Sequence, residues 1–199
     1  MELINIFSTP ILKTHFDIKN NWRSYFDNLW YERNQMDNAY VSDNFNVLDD
    51  KGVRVMKRNI EEIVNIYMEN YLRLSNRLRI TASWVMKHRQ GDFAQCHQHK
   101  NSIVSGVLYL QTKKGAGNII FNRDNFLNPS FEFNRIEKTP LNTGDMEFDV
   151  DTGTLLLFPS NLHHYTDVQP FAHYQRVCLA FNTFIDESIG NGDTRIELK

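Results

Sequence analysis

From residue 78 onward the chain is a succession of short apolar segments divided by glycine and proline, with no helical period between them. Leu78, Ile80, Ala82 and Trp84 alternate with Arg79, Thr81 and Ser83, the period of a strand with one buried face. Further strand candidates follow at 93–99, 103–112, 118–121, 131–133, 146–150, 154–158 and 175–184. Gly91, Gly115, Gly117, Pro140, Gly144, Gly153 and Pro159 punctuate them. Short strands in such number, with turn signals and no helix among them, predict an antiparallel sandwich or barrel.

The first part of the chain reads differently. Residues 3–16 alternate loosely around Pro10, as an edge strand or extended arm does. Over 20–36, Trp22, Tyr25, Phe26, Leu29 and Trp30 recur at helical spacing and predict a helix with one aromatic face. Residues 38–50 are polar and predict a loop. A second helix is expected over 51–76, with Val53, Met56, Ile60, Ile63, Val64, Tyr67, Tyr71, Leu72 and Leu74 available for burial while Lys57, Arg58, Glu61 and Glu62 face water. The tail from Gly190 is polar and expected to be loosely held. The layout is therefore mainly β, with one domain over 1–199. A helical part at about 17–76 packs on one sheet of a β core at about 77–185, leaving the inner faces of the β half to form a pocket.

Composition excludes several classes. A length of 199 residues fits one domain with a sizeable core. A net charge of -2 provides no field for nucleic acid or an anionic membrane. The N-terminal stretch, with Glu2 and Pro10, is neither a signal peptide nor a span. Only Cys96 and Cys178 are present, which points to a reducing, cytoplasmic setting and no disulfide framework. Aromatics reach 13%, chiefly as core, and the aromatic helices are also candidates for a homodimer interface.

The chemistry concentrates in two places. His97 and His99 flank Gln98 just ahead of the apolar run 103–110. In an extended chain, residues two apart share a face, so the two imidazoles stand together at a sheet edge. A pair supplies two coordination positions and needs a third ligand from elsewhere. His163 and His164, which follow the apolar strand 154–158 and its Pro159 turn, are the candidates. Three imidazoles there would make one face of an octahedron, suited to non-haem Fe(II) and also to Zn. Arg176 opens the apolar strand 176–182 and needs an anionic partner. That partner is either a structural Asp or Glu or the carboxylate of a ligand. His15, His88 and His173 have no partner in sequence and are assigned no role.

These residues fall into an ordered set: His97-Gln98-His99, Ser105-Gly106-Val107-Leu108-Tyr109-Leu110, the stretch from Gly153 to Ser160, Leu162-His163-His164, and Arg176. The set resembles the Fe(II)/2-oxoglutarate-dependent oxygenases, in particular their small prolyl-hydroxylase-like family, over roughly 78–184. The opening Ile6-Phe7-Ser8-Thr9-Pro10-Ile11 also resembles that family's start. The resemblance implies a double-stranded β-helix, or jelly roll. It implies Fe(II) held by His97, His99 and His164, with His164 preferred because it occupies the family's Leu-x-His position. It implies 2-oxoglutarate as cosubstrate, its distal carboxylate bound by Arg176 and Tyr109, and O₂ consumed in hydroxylating a small-molecule or peptidyl substrate. Two positions depart from most relatives. His99 stands where an acidic ligand is usual, and Cys178 where a serine often follows the arginine by two. Two other readings fit the same residues: a three-histidine dioxygenase that does not use 2-oxoglutarate, and a non-catalytic jelly roll holding a metal or nothing.

Overall fold

The structure is a computed structural model that describes residues 2, 4, 8–34, 38–123 and 134–198. The strand expected at 131–133 and Ile6 and Phe7 of the opening motif lie outside the described residues. In chain order the elements are β1 (Leu12–His15), α1 (Asn20–Asp27), β2 (Tyr31–Asn34), β3 (Ala39–Ser42), a short 3₁₀ turn (Val47–Asp49), α2 (Arg54–Ile66) running into a π-helical turn (Tyr67–Tyr71), β4 (Leu78–His88), β5 (Val104–Gln111), β6 (Ile119–Asn122), β7 (Asp145–Phe148), β8 (Thr154–Pro159), β9 (His163–Thr166), β10 (Arg176–Ile185), β11 (Ser188–Ile189) and β12 (Ile196–Glu197).

Two antiparallel sheets face each other. The larger has the order β1-β8-β5-β10-β4-β3-β2 and the smaller β7-β6-β9. The central strands β5 and β8 are buried along almost their whole length, which is why they read as continuous apolar runs. Alternation sorts their side chains between two cores. Leu108, Leu110, Leu155, Leu157, Leu179 and Phe181 pack on the helical side, against Trp22, Phe26, Met56, Ile60 and Val64. Val107, Tyr109, Leu156, Phe158 and Cys178 face the small sheet, where Ile119 and Phe121 meet them. Gly106 is required at a crowded point: a Cβ there would overlap the Phe181 ring. Gly106→Ala should cost about 1–3 kcal/mol, the usual range for overpacking, read as a lower urea midpoint at unchanged m-value.

The helical part is less helical than its periodicity predicts. α1 stops at Asp27 and the chain turns into β2, which pairs with β3 inside the stretch expected to be a loop. Trp30, in phase with the aromatic stripe, is 70% exposed. Sheet pairing of Tyr31–Asn34 outweighs the local helical period, because it extends the large sheet by two strands. The second helix is shorter than expected, ending as α helix at Ile66 before the π turn. The tail is not loose throughout, since β11 and β12 form a two-stranded ribbon.

The most consequential departure lies in β4. Its register with β10 shifts so that Asn182 pairs with Ala82 and Thr183 with Ile80. A β-bulge of this kind inserts one residue and reverses the phase of the strand beyond it. Leu78 and Ile80 face the helices, as does Val85, whereas Trp84 and Met86 face the small sheet. The single alternating face read over 78–84 is therefore two half-faces.

Candidate metal and cosubstrate site

The segment 93–99 does not form the expected strand. It runs beside β9 with one antiparallel bridge, in which the amides of His97 and His164 each donate to the other residue's carbonyl at 3.0 and 2.9 Å. Thr166 N–H donates to Ala94 O and His99 N–H to Ser160 O, so the offset between the two strands keeps changing and no ladder repeats. β9 itself has no signal in the sequence. His163–Thr166 carries no apolar alternation, and its pairing with β6 is what makes it a strand.

This bridge brings the remote histidines together. Ring nitrogens of His97, His99 and His164 lie within 4.8 Å of one another. His163, on the other side of β9, is not in the group. The Nδ1 atoms of His97 and His164 lie 2.7 and 3.0 Å from the carbonyls of Gln95 and Leu162. Each Nδ1–H donates to that carbonyl, which leaves Nε2 as a lone-pair donor facing the cluster. His99 Nε2 is 3.2 Å from His164 Nε2. Neighbouring nitrogens on one metal at about 2.1 Å stand about 3 Å apart, so the pair fits a shared cation. Phe158, Phe121 and Trp84 wall the imidazoles, with Phe158 edge-on to His164 at 4.8 Å and Trp84 at 5.6 Å from His99. The group contains no carboxylate.

Burial, then the nearby charge of His97, lowers His99 to about 4. Burial and His97 lower His164 to about 3, against the raising effect of its bond to Leu162. His88 is also held well below the usual value, first by burial and then by Arg176 and Arg33. All three are neutral at pH 7, the state in which imidazole binds a metal. An unfolded histidine takes up its proton near pH 6.5 and these folded ones do so only at lower pH, so the unfolded state binds more protons between those values. The metal-free protein should therefore hold full stability above about pH 7 and lose it progressively from about 6.5 toward 4. Urea midpoints across that range test this; a flat profile would contradict it.

A cavity of about 240 Å³ extends from the three imidazoles along the inner face of the large sheet. Tyr109 and Arg176 both line it, and both are 1% exposed. Burial, ahead of the opposing pull of Arg176, pushes the Tyr109 phenol up, so it is a neutral hydroxyl. Among the described residues no carboxylate pairs with Arg176. Its Nη1 donates to Gly117 O and its Nη2 to Thr166 Oγ1 at 3.2 Å. Its Nε is buried with no partner. Gly117 has φ +90°, and a Cβ there would sit 2.7 Å from Asp167 O and 3.0 Å from Arg176 Nη1, so glycine both permits the turn and admits the guanidinium. Thr166 and Gly117 have no functional signal in sequence because each acts through Arg176, a neighbour brought by the sheet. Cys178 lines the same wall, its thiol raised by burial. Arg123 and Arg135 donate to loop carbonyls of Thr143, Pro140 and Asn142 rather than lining this cavity.

The fold and the convergent imidazoles define a jelly-roll protein with a candidate metal centre. A family profile described as "Putative 2OG-Fe(II) oxygenase" matches residues 82–182, just over half of the 199-residue chain, and the chain belongs to that family of 2-oxoglutarate- and Fe(II)-dependent oxygenases. No curated protein matches it by sequence. Solved structures match it in fold. HygX from Streptomyces hygroscopicus, crystallised with nickel, 2-oxoglutarate and hygromycin B, superposes with TM-score 0.61 at 12% identity, covering 88% of this chain and 82% of HygX. The non-haem α-ketoglutarate-dependent epimerase SnoN from nogalamycin biosynthesis gives TM-score 0.64 at 10% identity, over 89% and 78%. A prolyl-4-hydroxylase from Pseudomonas putida gives 0.52 at 16%, over 88% and 93%. Among the described residues no helix is long and apolar enough to cross a membrane.

Proposed function

We propose that this enzyme is a hydroxylase in which His97, His99 and His164 hold Fe(II), and Arg176 and Tyr109 hold the distal carboxylate of 2-oxoglutarate. One observation carries the reading: a fully buried guanidinium with no carboxylate partner among the described residues lies on the same cavity wall as three convergent imidazoles. An unpaired buried charge is costly, and a dicarboxylate supplies what Arg176 lacks. A metal held by His97, His99 and His164 would supply the oxidative chemistry, with O₂ and 2-oxoglutarate giving succinate and CO₂ and one oxygen atom entering a substrate C–H bond. The chain's own part is placement. Gln95 and Leu162 carbonyls set the imidazole tautomers, Thr166 and Gly117 aim the guanidinium, and Phe158, Phe121 and Trp84 exclude water from one side of the histidines.

The whole chain acts as one domain, because both cores share the large sheet. The unpaired Cys96 and Cys178 suit the cytoplasm. Exposed Trp30 and Tyr71 on the helical side supply a homodimer contact, to be read by light scattering.

Anaerobic loading with Fe(II) and 2-oxoglutarate tests the central claim. It should give a visible charge-transfer band, and a screen of candidate substrates should then release succinate. Absence of both the band and any stabilisation by 2-oxoglutarate would refute it. O₂ uptake without the keto acid would instead favour a three-histidine dioxygenase, and tightly held zinc without O₂ uptake a non-catalytic protein.

A further inference from the structure

Arg176 is not alone on its wall. β4 and β10 pair antiparallel with Arg176 directly opposite His88. Side chains of directly paired residues stand on the same face of a sheet, and both line the cavity. His88 is 1% exposed, and neither of its ring nitrogens has a hydrogen-bond partner among the described residues. The neighbouring Arg176 Nε is orphaned in the same way. A single buried orphan costs about 1–3 kcal/mol, so adjacent ones on one cavity wall call for a common ligand. Of the other inward residues of these strands, Met86, Cys178 and Ala180 offer no strong donor, and Trp84 lies at the metal end of the cavity, 5.6 Å from His99. The β4 bulge is what turns His88 to this side.

We infer that His88 is a further anchor for the distal carboxylate of 2-oxoglutarate, donating a ring N–H to a carboxylate oxygen alongside the forked Arg176 and the Tyr109 hydroxyl. The inference rests on the cosubstrate reading above and adds a specificity. Two donors from adjacent strands recognise a dicarboxylate keto acid, whereas a monocarboxylate keto acid leaves both unmet. His88 is neutral before binding, so it offers one donor without adding a second cation beside Arg176.

The test measures binding rather than turnover. Protein loaded with Mn(II) is titrated calorimetrically with 2-oxoglutarate and with 2-oxobutyrate, which lacks the distal carboxylate. His88→Leu should weaken 2-oxoglutarate binding by about 10- to 100-fold, the loss of one charge-assisted hydrogen bond, and change 2-oxobutyrate binding by less than about threefold. Its metal-free melting temperature should not fall, because two unsatisfied nitrogens are removed. His88→Asn and His88→Gln place an amide near Nδ1 and Nε2 respectively, and one of them should restore most of the affinity. Unchanged 2-oxoglutarate binding in His88→Leu, or an equal loss for both keto acids, would overturn the assignment. Should the leucine variant not fold, the amides decide: one should bind 2-oxoglutarate at least about tenfold tighter than the other, and matching affinities count against His88. Wild-type protein that binds neither keto acid would refute the cosubstrate site itself, an outcome distinct from a wild type that binds and a His88→Leu variant that binds equally well.

Discussion

Arg176→Ala should abolish 2-oxoglutarate-dependent succinate release while leaving metal binding intact. The guanidinium is buried, faces a small cavity and lacks an acidic partner among the described residues. Charge-assisted hydrogen bonds contribute about 1.5–3 kcal/mol each, so losing the two of a forked carboxylate contact weakens cosubstrate binding by at least about 100-fold. The same change removes donors to Gly117 O and Thr166 Oγ1, so some stability is lost too. Arg176→Lys separates the effects. It keeps the charge but not the fork, and should recover part of the stability and little of the affinity. Calorimetry with Mn(II)-loaded protein reads the affinity, and metal analysis after dialysis reads the centre. Wild-type cosubstrate affinity in Arg176→Ala would remove the basis of the proposed function.

Metal affinity should fall by more than about 100-fold in His164→Ala, beyond the 10- to 100-fold typical when only an outer partner of a ligand is lost. His164 is the most buried member of the cluster, its backbone is tied to His97 on both sides, and its Nε2 faces His99 at 3.2 Å. Adjacent His163 is the control. It lies outside the cluster, so His163→Ala should change metal affinity by no more than about threefold. Metal retained after dialysis and the shift in melting temperature with Mn(II) report both. Equal effects from the two alanines would mean that the cluster is not the metal site.

Much of this architecture is written locally in the chain. The His-x-His spacing and the apolar runs at 103–110 and 154–158 need no partner to be legible, because period-two alternation is a property of neighbouring residues. The elements that fail to show are those defined by their partners. β9 has no apolar period of its own, and β2 carries a helical pattern that pairing with β3 overrides. The family motifs single out Arg176 and Tyr109 without any knowledge of strand order.

The order of residues alone establishes that this chain is mainly β, that imidazoles gather beside two apolar strands, and that a lone arginine needs an anion. Long-range packing settles the rest: which of two adjacent histidines turns inward, that no acid answers Arg176 among the described residues, and that His88 stands beside it. The reason is that strand register and a one-residue bulge are set by pairing between remote segments. A shift of one residue exchanges every inward side chain for an outward one, and nothing in the local pattern of β4 announces that shift.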